Sequence, residues 1–549
     1  MSKNDFSRRN FLKNSGLLAS AAAASTLRSP TELIAGAMIK GIFNRAEAQA
    51  VSATTSKFYV NIMMGGGPLR YTFDHWLRTK TTDPALVFSS MTGTSFAYNS
   101  TSRIVSAPEY RTFDFNGTQI PQQFAALSTQ DLNDFMSSFL VIRGYGSGVD
   151  GHAGNQCLQM QPLSGQVSTS GLIADASSLS YRAIQVPARG ANSKYFSMNA
   201  VGQNVLNSTT PLNDLLGPLS ATSTARTLRN ANQDAFTQLR SALNLSSGSD
   251  YATTLVKSSL NDAYKLLQSN FGDYTTAFNN LKANYDTVIQ QALRSDLIPG
   301  INATLDGSQS LQLIADGSSR YRVDGNPTLT TFTSGDDLIK TTDLMDIPGL
   351  STNLALAEFC IVNNLSSAIE ISSDALQGIR IAPGSGTTTR QVHDCHQSGD
   401  MASVLYFGTY FHALTRALLK FRERLVAAGK WSDTVVHLTS DFNRTVNGSG
   451  VGSDHGFNQM ISSVFSGSIQ GGPYVVGNIA ASTNGFSQGR AVVIPGYSNL
   501  VPGPISMAST LYPLMGVSNN PWKNLATPLI SLNPNGTLYL PYGSGKVVA

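Results

Sequence analysis

The run Val435-Val436-His437-Leu438-Thr439-Ser440-Asp441-Phe442-Asn443-Arg444 limits the fold more than any other stretch of this chain. Its apolar core follows the turn Trp431-Ser432-Asp433 and stops abruptly at an acid and an arginine, which reads as a buried strand over 434–440. Upstream, an amphipathic helix runs from about Ser403 to Ala428, and Gly429 terminates it. A long helix that delivers a short buried strand belongs to an α/β layout with a mainly parallel sheet. In such sheets the loops beyond the carboxyl ends of the strands carry the sites.

Other segments fit that layout. Lys57-Phe58-Tyr59-Val60-Asn61-Ile62-Met63-Met64 reads as a first buried strand running into Gly65-Gly66-Gly67-Pro68. Three glycines there allow a close backbone approach and offer amides to an anion. No Gly-Lys-Ser/Thr or GxGxxG pattern accompanies them, so they are not a nucleotide loop. Phe139–Arg143 and Ala368–Ile371 read as further strands, and Leu354–Val362 and Ser506–Val517 as helices. From about Leu212 to Leu297 the apolar spacing is helical, which predicts an inserted helical subdomain. The expected fold is an αβα sandwich with a mainly parallel sheet spanning residues 51–549.

Residues 1–50 read as a targeting segment. Ser7-Arg8-Arg9-Asn10-Phe11-Leu12-Lys13 matches the twin-arginine export pattern, a mild apolar region follows to Ala24, and Ala46-Glu47-Ala48 offers a cleavage site. The expected location is therefore periplasmic or otherwise exported, with the twin-arginine machinery as a partner. That segment holds seven of the 38 basic and three of the 34 acidic residues, so the rest of the chain is formally neutral. No basic face remains for nucleic acid, and no other stretch is long and apolar enough to span a bilayer. Three cysteines (Cys157, Cys360, Cys395) without a CxxC pair argue against a disulfide framework or zinc knuckle.

The chemistry-bearing residues cluster late in the chain. Asp394 and His396 are two apart; in an extended segment both can face one ion while His393 points elsewhere, and the alternative is a polar surface loop. Asp441 ends a buried strand, where it serves either as a ligand or as an ion-pair partner of Arg444. Asp454-His455, between glycines, is either a ligand pair or a turn in which Asp454 caps backbone amides. His152 and Asp74 have the same double reading, ligand against structural histidine or helix cap. Carboxylates and imidazoles are suitable donors for a divalent metal, and arginine suits a tetrahedral oxyanion. No Gly-x-Ser-x-Gly elbow is present, so a serine-hydrolase triad is unsupported.

The order of these motifs resembles one family. A twin-arginine start is followed by Gly66-Gly67-Pro68 with Thr72-Phe73-Asp74, Asp394-x-His396, and the 403–428 helix. Ser440-Asp441-Phe442-x-Arg444-Thr445, Asp454-His455-Gly456 and Gly471-Gly472 complete the series. This is similar to the exported bacterial family known as "domain of unknown function 1501", which looks like a branch of the alkaline phosphatase/sulfatase superfamily. The resemblance implies an alkaline-phosphatase-like fold and a divalent metal (zinc, calcium, magnesium or manganese) held by Asp394, His396, Asp441 and His455. It places Arg444 beside the metal and leaves Thr72 as the nucleophile by default. Asp441 stands where the family usually carries Glu. The first strand ends in Met64-Gly65-Gly66-Gly67, where the superfamily carries a metal-binding Asp and then a nucleophile. The implied activity is metal-dependent hydrolysis of a phosphate or sulfate ester, small or polymeric. The alternative is a non-catalytic exported binding or surface-assembly protein that keeps the fold.

Overall fold

The computed structural model describes residues 57–74, 78–79, 97–99, 104–106, 112–116, 118–121, 124, 127–163, 165–179, 181–187, 194–216, 271–293, 309–313, 320–325, 338–382, 393, 400–446, 453–477, 479–481, 489–494, 501–517, 521–522, 525–533 and 538–539. The targeting segment and the Asp394/His396 pair lie outside these residues.

An eight-stranded sheet forms the centre. Its strands in chain order are β1 (Phe58–Met64), β2 (Phe139–Tyr145), β3 (Ala183–Gln185), β4 (Asn204–Val205), β5 (Ala368–Ser372), β6 (Thr434–Ser440), β7 (Met460–Ser466) and β8 (Tyr474–Val476). They lie side by side as β8-β2-β7-β6-β1-β5-β3-β4. Only β7 is antiparallel to its neighbours β6 and β2; every other pairing is parallel. The mixed, mostly parallel α/β sheet is thus as the sequence predicts. β1, β2, β6 and β7 are buried along their whole length, which explains the largely apolar runs of β1 and β2.

Helices cover both faces. Phe58, Val60, Ile62, Val436 and Leu438 face a core shared with three helices, Phe271–Leu293, Leu350–Val362 and Asp400–Ala427. Tyr59, Val435, Leu140 and Ile142 face the opposite core, shared with Thr169–Ala176 and Pro504–Met515. The long helix Asp400–Ala427 ends where Gly429 takes φ +66°, the left-handed conformation that favours glycine. Of the expected helical insertion, Pro211–Leu216 and Phe271–Leu293 are described, and 217–270 is not. The second of these helices buries Phe278, Tyr285 and Ile289 in the main core, and the Tyr285 hydroxyl donates to Glu358 at 2.8 Å.

A six-stranded antiparallel sheet was not anticipated. It is ordered Gln377–Ala382, Leu338–Asp346, Gln309–Leu313, Arg320–Gly325, Ile104–Ser106, Ala97–Asn99. Among the described residues no helix is long and apolar enough to cross a membrane.

Candidate functional site

The turn Gly65-Gly66-Gly67 leaves β1 at the carboxyl edge of the sheet, beside the end of β6, and three side chains hold it. The Gly66 amide donates to Asp441 Oδ2 at 2.9 Å. Arg444 Nε donates to the Gly67 carbonyl at 2.8 Å, and its Nη2 to the Gly66 carbonyl at 2.6 Å. His393 Nδ1 lies 3.1 Å from the Gly65 carbonyl. A carbonyl can only accept, so Nδ1 carries the proton and Nε2 the lone pair. Gly67 sits at φ +64°, and a Cβ there would lie 2.5 Å from the Phe442 ring. The close approach expected of these glycines is therefore to Phe442. The Gly66 amide, expected to be available to a phosphate, is taken by a carboxylate of the protein itself.

Asp441 is fully buried. Burying a carboxylate is costly unless its lone pairs are satisfied. Besides the Gly66 amide, Oδ2 meets His152 Nδ1 at 2.6 Å, and Oδ1 accepts the Phe442 amide at 3.2 Å. Among the described residues these contacts fill three of about four acceptor positions on the carboxylate. His152 opens the helix His152–Met160 behind Gly151 (φ +120°), and its side chain is 36% exposed. It therefore joins the buried acid to the surface.

A second carboxylate–imidazole pair lies alongside. Asn443–Val446 and Ser453–Gly456 form an antiparallel ribbon in which Arg444 opposes His455. The Asp-His-Gly segment is therefore strand, not the loop its glycines suggested. Gly456 is needed there, because a Cβ would sit 2.4 Å from the Asn443 carbonyl. His455 Nδ1 pairs with Asp150 Oδ1 at 2.6 Å, and Asp454 Oδ1 accepts the His455 amide at 2.7 Å, the capping role weighed above. The His152 and His455 rings meet edge to face at 4.9 Å, and Phe442 packs against both, at 4.5 and 4.1 Å.

Of the expected ligands, Asp441 and His455 come to one place, and Asp394 and His396 lie outside the described residues. His152 joins them. Asp150, which no spacing argument singled out, does as well; its only sequence signal is that it precedes Gly151-His152. Arg444 is fully buried, with its guanidinium on the glycine turn and 4.9 Å from the Phe442 centroid. Thr72 lies on the short turn Arg70–Thr72, 3% exposed, and its hydroxyl has no partner among the described residues. Asp74 pairs with Arg70 and accepts the Ser463 hydroxyl inside the protein. Cys157 and Cys360 are free.

The donor chemistry suits a divalent cation, since two carboxylates and two imidazoles meet at one edge. Among the described residues, however, no three His, Cys, Asp or Glu side chains form a ready cage. Each carboxylate instead satisfies an imidazole. His393 Nε2 is among the buried side-chain atoms with no hydrogen-bond partner among the described residues. Burial pushes this imidazole down to about 4, partly offset by the Gly65 carbonyl and the Asp441 charge. It is neutral at ordinary pH.

Comparison with protein families, with curated proteins and with solved structures finds no match to this chain.

Proposed function

We propose that the carboxyl edge between β1 and β6 is a hydrolytic site for phosphate or sulfate esters that works with a divalent cation. We further propose that the chain is an exported relative of the domain-of-unknown-function-1501 proteins in the alkaline phosphatase/sulfatase superfamily. The observation that carries the hydrolytic reading is the pairing of buried Asp441 with partly exposed His152 at 2.6 Å, with the His455–Asp150 pair beside it. The eight-stranded mixed sheet and the motif order support the family.

In this reading Asp441 and His455 are cation ligands, joined by Asp394 and His396 on the strength of the resemblance. A bound cation would polarise an ester oxygen or activate a water. The rest falls to the protein's own groups. Asp441 fixes the His152 ring by accepting from Nδ1, which leaves Nε2 to take a proton from the attacking water or return one to the leaving oxygen. Arg444 clamps the glycine turn and so sets where Asp441 stands; it acts as a positioning residue. Water takes the place of Thr72 as nucleophile, because the Thr72 hydroxyl is sealed in the interior.

The purified full chain, reconstituted with zinc, manganese, magnesium or calcium, should hydrolyse p-nitrophenyl phosphate or p-nitrophenyl sulfate. Asp441→Asn and His152→Gln should each lower kcat/KM by about 100-fold or more. Failure to bind any of the four metals, with no turnover, would sink the reading. One observation favours a non-catalytic binding protein instead: among the described residues no Ser, Thr or Cys side chain hydrogen-bonds His152, so no covalent nucleophile is primed. Metal binding without turnover on any ester would select that alternative.

A further inference from the structure

Glu370 is a buried acid that the reading above does not use. It stands on β5 in the central sheet, 4% exposed, in register with Asn61 of β1 and Gln185 of β3. A buried carboxylate is costly unless a cation balances it. Here both partners are neutral. Oε1 meets the Ser170 hydroxyl, and Oε2 accepts from Gln203 Nε2 at 2.9 Å. Among the described residues no lysine, arginine or histidine pairs with it. The titratable groups that feel its charge are two phenols, Tyr59 on β1 and Tyr195, and burial holds both neutral. Asp175 and Arg182 act on Tyr195 in turn, and Tyr59 on Tyr512 of the helix Pro504–Met515.

Gln203 and Tyr195 belong to one segment, residues 194–206, that runs along the helix Thr169–Ala176 into the edge strand β4. One end is fixed by neutral groups: the Ser168 amide donates to the Phe196 carbonyl at 2.9 Å, and Ser168 Oγ accepts the Phe196 amide at 3.1 Å. The middle hangs on Asp175, which accepts the Ser197 hydroxyl, the Met198 amide at 2.8 Å and the Asn199 amide at 3.3 Å. The far end is joined to Glu370 through Gln203 and to β3 through the Leu206 amide, 2.8 Å from the Gln185 carbonyl. Lifting the segment takes Gln203 and Tyr195 off Glu370 and lets water reach the acid.

We infer that residues 194–206 form a pH-sensitive strap that closes over Glu370 in acid and loosens as pH rises. Burial raises the Glu370 carboxyl from an ordinary 4.5, against the pull of Ser170 and Gln203. It raises Asp175 in the same direction, against the strap's three hydrogen bonds and the Arg182 charge. A group whose closed-state value is raised stabilises closure below its open-state value. That stabilisation is lost as pH rises through the closed-state value. The inference does not rest on the hydrolytic reading.

The test is hydrogen exchange of the purified full chain between pH 4 and pH 8, with protection corrected for the intrinsic rate at each pH. Peptides covering residues 194–206 should lose protection by at least about 10-fold across that range. Glu370→Gln keeps an acceptor for Gln203 and cannot ionise, so its loss should shrink to the share due to Asp175. Should that variant not fold, Gln203→Glu changes only the strap. It sets a second carboxyl against the first, and like charges should deepen the loss by about another 10-fold. Protection in the parent that is flat or rises with pH overturns the strap. So does a loss in Glu370→Gln, or in Gln203→Glu, equal to the parent's.

Discussion

Asp441 and Asp74 are both fully buried carboxylates near the glycine turn, yet their surroundings are opposite. Asp74 meets Arg70 through Nε at 2.9 Å and through Nη2, and accepts the Ser463 hydroxyl as well. Neither side chain of that ion pair reaches solvent. Asp441 is held by two backbone amides and by His152, whose side chain is 36% exposed. A carboxylate locked to a buried guanidinium is sealed from solvent and has no position to offer. One backed by amides and by a partly exposed imidazole is linked to the surface. Arg–Asp proximity thus marks structure here, and the Asp–His pair marks the candidate chemistry.

Removing one partner of the sealed pair should have the largest effect. Asp74→Ala strands the Arg70 charge in the core and should cost about 3–5 kcal/mol of stability, read by urea unfolding. Asp441→Asn should cost clearly less stability while abolishing turnover. If the two variants destabilise equally, the contrast drawn above fails. Next comes the turn that separates the two regions. Gly67→Ala must fit a Cβ against Phe442 at φ +64°, at a cost of about 1–3 kcal/mol, and it should weaken turnover because Arg444 and Asp441 both hang on that turn. A variant as stable and active as the parent would show that the turn is not the organiser.

The sealed side should also respond to acid. His437 is buried, with Nδ1 2.8 Å from the Tyr59 hydroxyl, and burial together with the Arg70 charge pushes it down to about 3 from an ordinary 6.5. Between those values the unfolded chain binds the proton and the folded chain does not. Stability is therefore fully present above pH 6.5 and is lost as pH falls toward 3. His437→Gln should flatten that decline, by about 1–2 kcal/mol at pH 5, measured as unfolding midpoints across the range. Parallel curves for parent and variant would show that His437 does not govern the acid sensitivity.

The strands were legible wherever burial on both faces wrote a continuous apolar run, as in 434–440 and Phe58–Met64. The helices before and after them were legible from periodicity and from Gly429 and Gly516 at their ends. The six-stranded sheet was missed because its strands are scattered over positions 97–382, and a segment such as Arg320-Tyr321-Arg322-Val323-Asp324-Gly325 lacks an apolar run. At the site, Asp441 and His455 stood out by strand-end placement and by their flanking residues. Their partners did not. The pairing of His152 with Asp441 spans 289 positions, and that of Asp150 with His455 spans 305. Only sheet order, with β7 inserted between β2 and β6, brings those ends together.

The smallest effect expected is the most informative about Thr72. It lies in sequence between the glycine turn and Asp74, so its side of the boundary decides whether the site has a protein nucleophile. Its hydroxyl is buried and unpartnered among the described residues, a state that costs rather than stabilises. Thr72→Val keeps the shape and removes that cost, so it should leave stability unchanged or raise it by up to about 1 kcal/mol, with kcat/KM on the reactive ester unaltered. A fold-intact Thr72→Val that loses turnover would move Thr72 to the open side and restore a covalent mechanism. Unchanged turnover assigns the attack to water and leaves His152 as the group that must handle its proton.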